Sequence, residues 1–326
     1  MLLDIGGGTT DIVIHAFGMP SGKRGVQRLS EIARGDGGAC GGANIDAEFL
    51  KWARTRIPGL DKIERDHPSV FNAFMMKWDS AKRFFNNTRD VSSISLPPKI
   101  QKLMEDEDIE ELEISREEMK SFFDPVIKTV YDLTIAQVKG VEQPVRALIM
   151  VGGLSESAYV EDELRHMFEP HFEHVFTPPK AGGIVVRGAV FYGLEPQVIT
   201  QRVQRQSVFV RISAPTEPGD REEFIFVHKD KGTPYTRRLD PFVLADAKVF
   251  TGTRRTKKYY PIEARSESMT LPIYSSPFSD SRYTNDVGVR EMGIVEVEIP
   301  DTRHGLNRPA CFDASSINDV LIVGPD

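Results

Sequence analysis

Positive charge is in short supply in this 326-residue chain: 41 Lys and Arg face 48 Asp and Glu, a net charge of −7. The deficit is uneven, since residues 1–200 carry 23 basic against 30 acidic side chains and residues 201–326 carry 18 of each. Neither part offers a broad basic surface, which argues against a general polyanion binder and makes nucleic acid a poor partner. Cysteine is scarcer still, with only Cys40 and Cys311. Two distant thiols without metal-ligand spacing fit free cysteines in a reducing compartment better than a disulfide framework. No apolar run approaches the roughly 18 residues that a membrane span requires. The opening residues are acidic and Gly-rich, unlike a secretory signal. A soluble, cytoplasmic protein with no membrane span is expected. Internal repeats are absent, and so is low complexity, apart from the acidic run Glu105–Glu113. Like charges repel and stay hydrated, so that run reads as a loop leading into a strand.

Hydrophobic residues make up 40% and charged residues 27% of the chain, ordinary values for a globular protein long enough for two domains. Up to about Leu194, short apolar runs alternate with amphipathic stretches. Strands are expected at Leu2–Ile5, Asp11–Phe17, Gln27–Ile32, Arg146–Val151 and His174–Phe176. Helices are expected at Asn44–Arg56 with Asn44 as cap, at Phe71–Phe85, at Met119–Val138 interrupted near its start by Pro125, at Glu156–Phe168 and at Ile184–Leu194. After Pro196 helical periodicity nearly vanishes. Val208–Ile212, Glu223–Val227, Tyr259–Ile262, Ser268–Ile273 and Gly293–Ile299 are short β-type runs split by Pro, Gly and Asp, the pattern of an antiparallel unit. The expected organisation is an α/β domain over 1–196 and a β-rich domain over 197–326.

Three glycine turns carry the chemistry. Gly6, Gly7, Gly8 and Thr9 are followed by Asp11-Ile-Val-Ile-His, which reads as strand. Walker and Rossmann loops open helices instead, so this is a strand–turn–strand phosphate cradle. Glycines without a Cβ let backbone N–H groups approach an anion, and Thr9 adds a hydroxyl. Asp4 and Asp11 are placed to hold Mg²⁺ through water. The alternative is a tight hairpin whose glycines serve only positive φ. "GDGGACGGANID" (Gly35–Asp46) and "ALIMVGGLSES" (Ala147–Ser157) each lead to a helix start, where backbone donors suit an anion.

The order of these turns resembles the actin-like (ribonuclease H-like) ATPase superfamily, and within it the 70-kDa heat-shock proteins. "LLDIGGGTTD" is similar to their second phosphate motif, and "GGANIDAEFLKW" to the Gly-Gly-x-x-x-Asp segment that opens the next helix. "DSAKRFF" resembles the helix that holds adenosine, "IMVGG" the adenosine turn, and "AGGIVVRGAVFYGLEP" the helix that closes it. The β region, with "DVGVREMGIVEVEIP" and the basic "TRRTKKYYP", is most similar to the divergent type-12 branch. The resemblance implies an actin-like ATPase domain, incomplete at its N-terminus, with ATP or ADP and Mg as cofactors. Gly6, Gly7, Gly8 and Thr9 would take phosphates. Asp79, Lys82, Arg83, Gly152 and Gly153 would take adenosine, and Asp4, Asp11 and Thr9 would assist catalysis and the metal. Asp79, Lys82 and Arg83 stand at i, i+3 and i+4 on one helix face, although an Asp79–Arg83 surface ion pair fits the same spacing.

Three positions depart from the family pattern. Leu154 and Glu156 stand where a serine and an adenine-stacking arginine are usual, and Gly182 replaces an acidic residue. Losing the guanidinium removes about 1 kcal/mol or somewhat more of cation–π energy. The family's first lobe, with a further phosphate hairpin, a metal-site aspartate and a water-positioning lysine, lies upstream of the second phosphate motif. The chain is therefore expected to be the C-terminal part of a longer ATPase, through a shortened gene model rather than a natural isoform. It should hydrolyse ATP poorly alone, because phosphoryl transfer needs charge neutralisation from both sides. The apolar faces of Leu2–Ile14 are expected to be left uncovered.

Three functions follow. The first is a chaperone-like ATPase with unfolded or client proteins as partners, whose lobe closure is coupled to the β unit. The second is a non-catalytic pseudo-ATPase scaffold. The third is a small-molecule kinase of the same superfamily, for which no sugar-site base is evident. No apolar-acidic linker appears between Pro196 and Arg205. Arg254, Arg255, Lys257 and Lys258 beside Tyr259 and Tyr260 form either an anion patch or a solvated basic strand edge.

Overall fold

The computed structural model describes residues 1–18, 27–104, 109–228, 232–253, 255–259, 268–298 and 312–313. Cys311, Arg254, Tyr260, most of Tyr259–Ile262 and the acidic residues 105–108 lie outside the described residues. The chain divides into two compact units, Met1–Ile199 and Thr200–Asp326.

Unit 1 is built on a mixed five-stranded sheet. β1 (Leu2–Ile5) and β2 (Thr10–Val13) form the expected hairpin. His15–Phe17 (β3) pairs with Leu29–Glu31 (β4), while Asp36–Gly38 (β5) pairs with β2. The single strand expected over Asp11–Phe17 is therefore two, because the chain changes partners at Ile14. Three helices follow: α1 (Gly42–Arg56), α2 (Leu60–Asp66) and α3 (Pro68–Phe84). A β6–β7 hairpin (Val91–Ser95, Glu111–Ser115) spans the short α4 (Pro98–Gln101) and leads into α5 (Arg116–Lys139). β8 (Ala147–Val151), a 3₁₀ turn Leu154–Glu156, α6 (Ala158–Phe168), β9 (His174–Phe176) and α7 (Ala181–Leu194) complete it. The sheet order is β5-β2-β1-β8-β9, with β8 and β9 parallel to β1.

Strand alternation decides which face carries chemistry. Leu3, Ile5 and Ile12 are fully buried in the core with Phe49, Trp78 and Phe122 from α1, α3 and α5. Phe49 and Trp78 stack at 3.8 Å, and Phe122 meets Phe49 edge-on at 6.0 Å. The apolar side chains Leu3, Ile5, Ile12 and Ile14 are covered, contrary to the expectation of bare faces, while the opposite face presents Asp4 and Asp11 together with the exposed Leu2. Exposed apolar side chains include Phe17, Met76 and Phe84, and α7 gathers several more: Val185, Val186, Val190, Phe191 and Leu194.

Helix α5 also differs from expectation. It starts at Arg116, because Ser115 and Glu118 form a reciprocal cap: Glu118 N–H donates to Ser115 Oγ at 3.2 Å and Ser115 N–H to Glu118 Oε2 at 2.9 Å. It runs unbroken through Pro125. An interior proline costs about 3 kcal/mol. Burial of Phe122, Phe123, Val126 and Ile127 outweighs that at roughly 1.5–3 kcal/mol each.

Unit 2 contains a five-stranded antiparallel sheet in the order β12-β13-β11-β16-β17. Its strands are β11 (Ser207–Pro215), β12 (Ile225–Val227), β13 (Pro234–Val243), β16 (Ser268–Ser276) and β17 (Arg290–Glu298). β10 (Ile199–Val203) pairs with β14 (Lys248–Phe250), and β15 (Lys258–Tyr259) with β18 (Phe312–Asp313). Sequence periodicity misses β13, whose two prolines and two arginines disguise it. Pro234 opens the strand and Pro241 lies opposite Phe209 at a bulge, places where a missing N–H is tolerated. The apolar core here is small, centred on Phe209, Leu239 and Tyr274. Charge supplements it: Asp220 accepts the Glu217 N–H at 2.8 Å and Arg282 Nη2 at 2.7 Å, which hold its carboxyl well below the usual range.

Candidate functional site

The β1–β2 turn is closed by Gly6 N–H donating to Thr9 O at 2.8 Å. None of Gly6, Gly7 or Gly8 has positive φ, so backbone conformation does not demand glycine here. A Cβ built on Gly7 or Gly8 meets nothing within 4 Å, so packing does not demand it either. What remains is an exposed, side-chain-free backbone surface. Thr9 Oγ1 donates to Asp11 Oδ2 at 3.2 Å, which ties the end of the turn to the carboxylate.

Helix α1 braces this turn from behind. Gly42 N–H donates to Gly6 O at 3.2 Å and Ala43 N–H to Gly7 O at 2.6 Å. A Cβ on Gly41 would lie 2.6 Å from Gly6 O, so glycine is needed for the approach. The first N–H groups of α1, expected from the sequence to face an anion, are instead bonded to the hairpin's own carbonyls. Asn44 is correspondingly not the cap but the third helical residue, with Oδ1 accepting Gly41 N–H at 3.0 Å.

Asp4 and Asp11 sit opposite each other on the same rung of β1 and β2. Among the described residues neither forms an ion pair. Burial, then repulsion from Asp11, raises the Asp4 carboxyl above its ordinary value of 3.8. No cluster of three or more His, Cys, Asp or Glu converges among the described residues. Two uncompensated carboxylates without a full ligand cage suit a hydrated Mg²⁺, whose remaining ligands are water and phosphate. Asp11→Asn is expected to return Asp4 toward its ordinary value and to raise thermal stability at neutral pH. A carboxyl with a raised folded pKa holds its proton more tightly when folded, so stability falls as pH rises through that range. Melting curves from about pH 3 to about pH 8 should show the variant's advantage fading at the acid end. A variant no more stable than its parent at neutral pH would overturn this account.

Gly152 joins the carboxylates to the second turn. Its φ is +91°, and a Cβ there would lie 2.3 Å from Asp4 Oδ1 and 2.5 Å from Ile5 O. Gly153, next along, has open space above it. The two departures Glu156 and Gly182 meet in space: Glu156 Oε1 accepts the Gly182 N–H at 2.9 Å, at the first turn of α7. Gly152 N–H also donates to Ala181 O at 3.4 Å. Leu154 is buried, and α6 begins after Ser157, so the expected single helix from Glu156 is a 3₁₀ turn followed by α6.

Asp79, Lys82 and Arg83 stay together on one face of α3, with Asp79 3.5 Å from Lys82 Nζ as well as paired to Arg83. Lys82 Nζ donates to Asp46 Oδ1 at 2.7 Å, the oxygen that also accepts Trp78 Nε1–H at 2.7 Å. The Lys82 side chain is only 12% exposed. Its ammonium lies 3.8 Å from a Cβ built on Gly42, beside the brace of the phosphate turn. Arg83, 73% exposed, pairs with Asp79 at 2.8 Å, the i,i+4 ion pair the spacing also allowed. Asp46 stands in the Gly-Gly-x-x-x-Asp segment, yet nothing local revealed its partners. In unit 2, Lys257 Nζ and Tyr259 Oη both donate to Asp240, at 2.7 and 3.0 Å, so part of the basic segment is held internally.

A glycine hairpin carrying paired carboxylates, a parallel strand ending in a second glycine turn, and a helix closing on that turn define an actin-like ATPase fold. Residues 1–205 match the family described as Hsp70 protein, and the chain belongs to the Hsp70 family. It is 25% identical over 327 residues to human heat shock 70 kDa protein 12A, a match covering 93% of this chain and 47% of that protein. To human heat shock 70 kDa protein 12B it is 24% identical over 324 residues, covering 92% and 46%. These relatives place it with the type-12 branch. The chain spans about half the length of the curated relatives it matches. Among the described residues no helix is long and apolar enough to cross a membrane.

Proposed function

We propose that this chain carries part of the nucleotide site of a chaperone-like ATPase, with phosphates on Gly6–Thr9, Mg²⁺ held through water by Asp4 and Asp11, and the base on Gly152–Gly153. One observation carries the proposal: Gly7 and Gly8 have neither a conformational nor a packing reason to be glycine, and they stand beside an unneutralised carboxylate pair. Bound Mg²⁺ would neutralise phosphate charge. Of the chain's own groups, Gly7 and Gly8 would bring backbone donors to the phosphates, and Lys82 would add a cation behind the turn. Lobe closure coupled to unit 2, client binding and cytoplasmic residence belong to the same proposal.

Equilibrium binding of fluorescent nucleotide with and without Mg²⁺ tests the site. Gly8→Asp is expected to weaken binding about tenfold or more through like-charge repulsion. The unliganded melting temperature should not move, because the new side chain enters open space. No binding at millimolar nucleotide by folded protein, or parental affinity in the variant, would refute the proposal. The scaffold reading is favoured by Glu156 standing where a stacking cation is usual. It predicts partner binding indifferent to Gly8→Asp.

A further inference from the structure

We propose that the outer edge of β17 pairs with the same edge of a second copy of this chain, antiparallel about Gly293, to form a two-fold dimer. The proposal uses only unit 2 and is independent of the nucleotide reading. The five-stranded sheet ends at β17, and among the described residues no strand covers that strand's outer side. Arg290–Glu298 is 9 residues long, whereas β12 at the other end of the sheet has 3. Backbone N–H and C=O groups along a long open edge are a template for a further strand. Met292 and Ile294 stand on this edge 50% and 60% exposed. Met292 is the extra residue of a bulge, since Gly293 lies opposite Ile273 and Glu291 opposite Tyr274. A Cβ built on Gly293 meets nothing within 4 Å.

The charges on the edge say which partner fits. Arg290, Glu296 and Glu298 are exposed, and among the described residues none of them has an ion pair or a side-chain hydrogen bond. A charged, bulged edge ordinarily turns other strands away. This one is complementary to itself. In an antiparallel pair with a two-fold axis, residues equally far from the axis on the two copies face each other. With the axis at Gly293, Arg290 of each copy faces Glu296 of the other, and Met292 faces Ile294. The bulges of both copies then fall at the axis, where two glycines put no side chain between the backbones. Moving the axis one residue either way sets Met292 against Glu296 or Arg290 against Ile294, so charge and apolarity agree at Gly293. Opposite-charge and apolar cross-strand pairs favour pairing, and like charges oppose it. Any other extended segment would have to carry this order of residues; a second copy carries it by symmetry. A single strand pair is a small interface, so the dimer is weak and depends on concentration.

Sedimentation velocity of the 326-residue chain, from about 5 to about 200 μM, is expected to show a monomer–dimer equilibrium. Arg290→Glu and Glu296→Arg each set like charges opposite one another twice, and each should weaken the dimer about tenfold or more. Both side chains are exposed, so circular dichroism and melting temperature should match the parent. An equimolar mixture of the two single variants restores opposite charges at both contacts, and so does the double variant. Both should associate as the parent does. A parent that stays monomeric throughout, single variants that associate like the parent, or a mixture that stays monomeric overturns the proposal. A monomeric chain that takes an unrelated extended peptide on this edge overturns it too. Gly8→Asp should dimerise as the parent does, so failure of the nucleotide reading leaves this result unchanged.

Discussion

Gly152→Ala is expected to cost the fold about 3 kcal/mol or more and to push Asp4 out of register with Asp11. Two penalties add. The backbone at Gly152 has φ +91°, where a side chain costs about 1–3 kcal/mol. The added methyl would also lie 2.3 Å from Asp4 Oδ1 and 2.5 Å from Ile5 O, and overpacking of this kind costs about 1–3 kcal/mol. Asp4 Oδ1 ends a side chain that can turn aside, but Ile5 O is strand backbone and cannot. Gly153→Ala is the control: φ there is −67° and the space is open, so its effect should stay within about 0.5 kcal/mol. Urea denaturation of the two variants checks the contrast, and similar midpoints would show that β1 does not constrain the turn.

Trp78→Ala is expected to destabilise by about 3–5 kcal/mol, the usual cost of emptying a fully buried aromatic site. Trp78 stacks on Phe49 at 3.8 Å and also donates Nε1–H to Asp46, the carboxylate that holds Lys82. Trp78→Phe separates the two roles. It retains a ring against Phe49 and removes the hydrogen bond to a charged acceptor, for a loss of about 1.5–3 kcal/mol. Guanidinium denaturation of both variants measures the difference. A phenylalanine variant as stable as the parent would show that the indole N–H contributes nothing to the Asp46–Lys82 arrangement.

Much of unit 1 was legible because local pattern reports local structure. β1, α1, α3 and β9 were found within a few residues, since alternation and 3.6-residue periodicity are properties of contiguous sequence. Failures occurred where distant contacts overrode a local signal. Pro125 should break a helix, but the aromatic and aliphatic burial around it holds α5 straight through. β13 carries a proline at each end of a charged run, and only pairing with β11 and β12 makes it a strand. The N-terminus of α1 looked like an anion site, and became a brace because Gly41 lets it approach the hairpin.

From sequence alone came the strand–turn–strand character of Gly6–Thr9, the carboxylates Asp4 and Asp11 that flank it, the actin-like class and the β-rich tail. The turn, the carboxylates and the β-rich tail depend on residues close together in the chain, where backbone periodicity and the missing Cβ of glycine act over a few positions; the actin-like class came from a resemblance carried by the order of the glycine turns. Tertiary structure alone decided that Lys82 belongs to Asp46, 36 residues away, and that Glu156 closes on Gly182, 26 residues away. A hydrogen bond needs its partners within about 3 Å. Spacing along a chain says nothing of that distance until the helices and strands between them have packed.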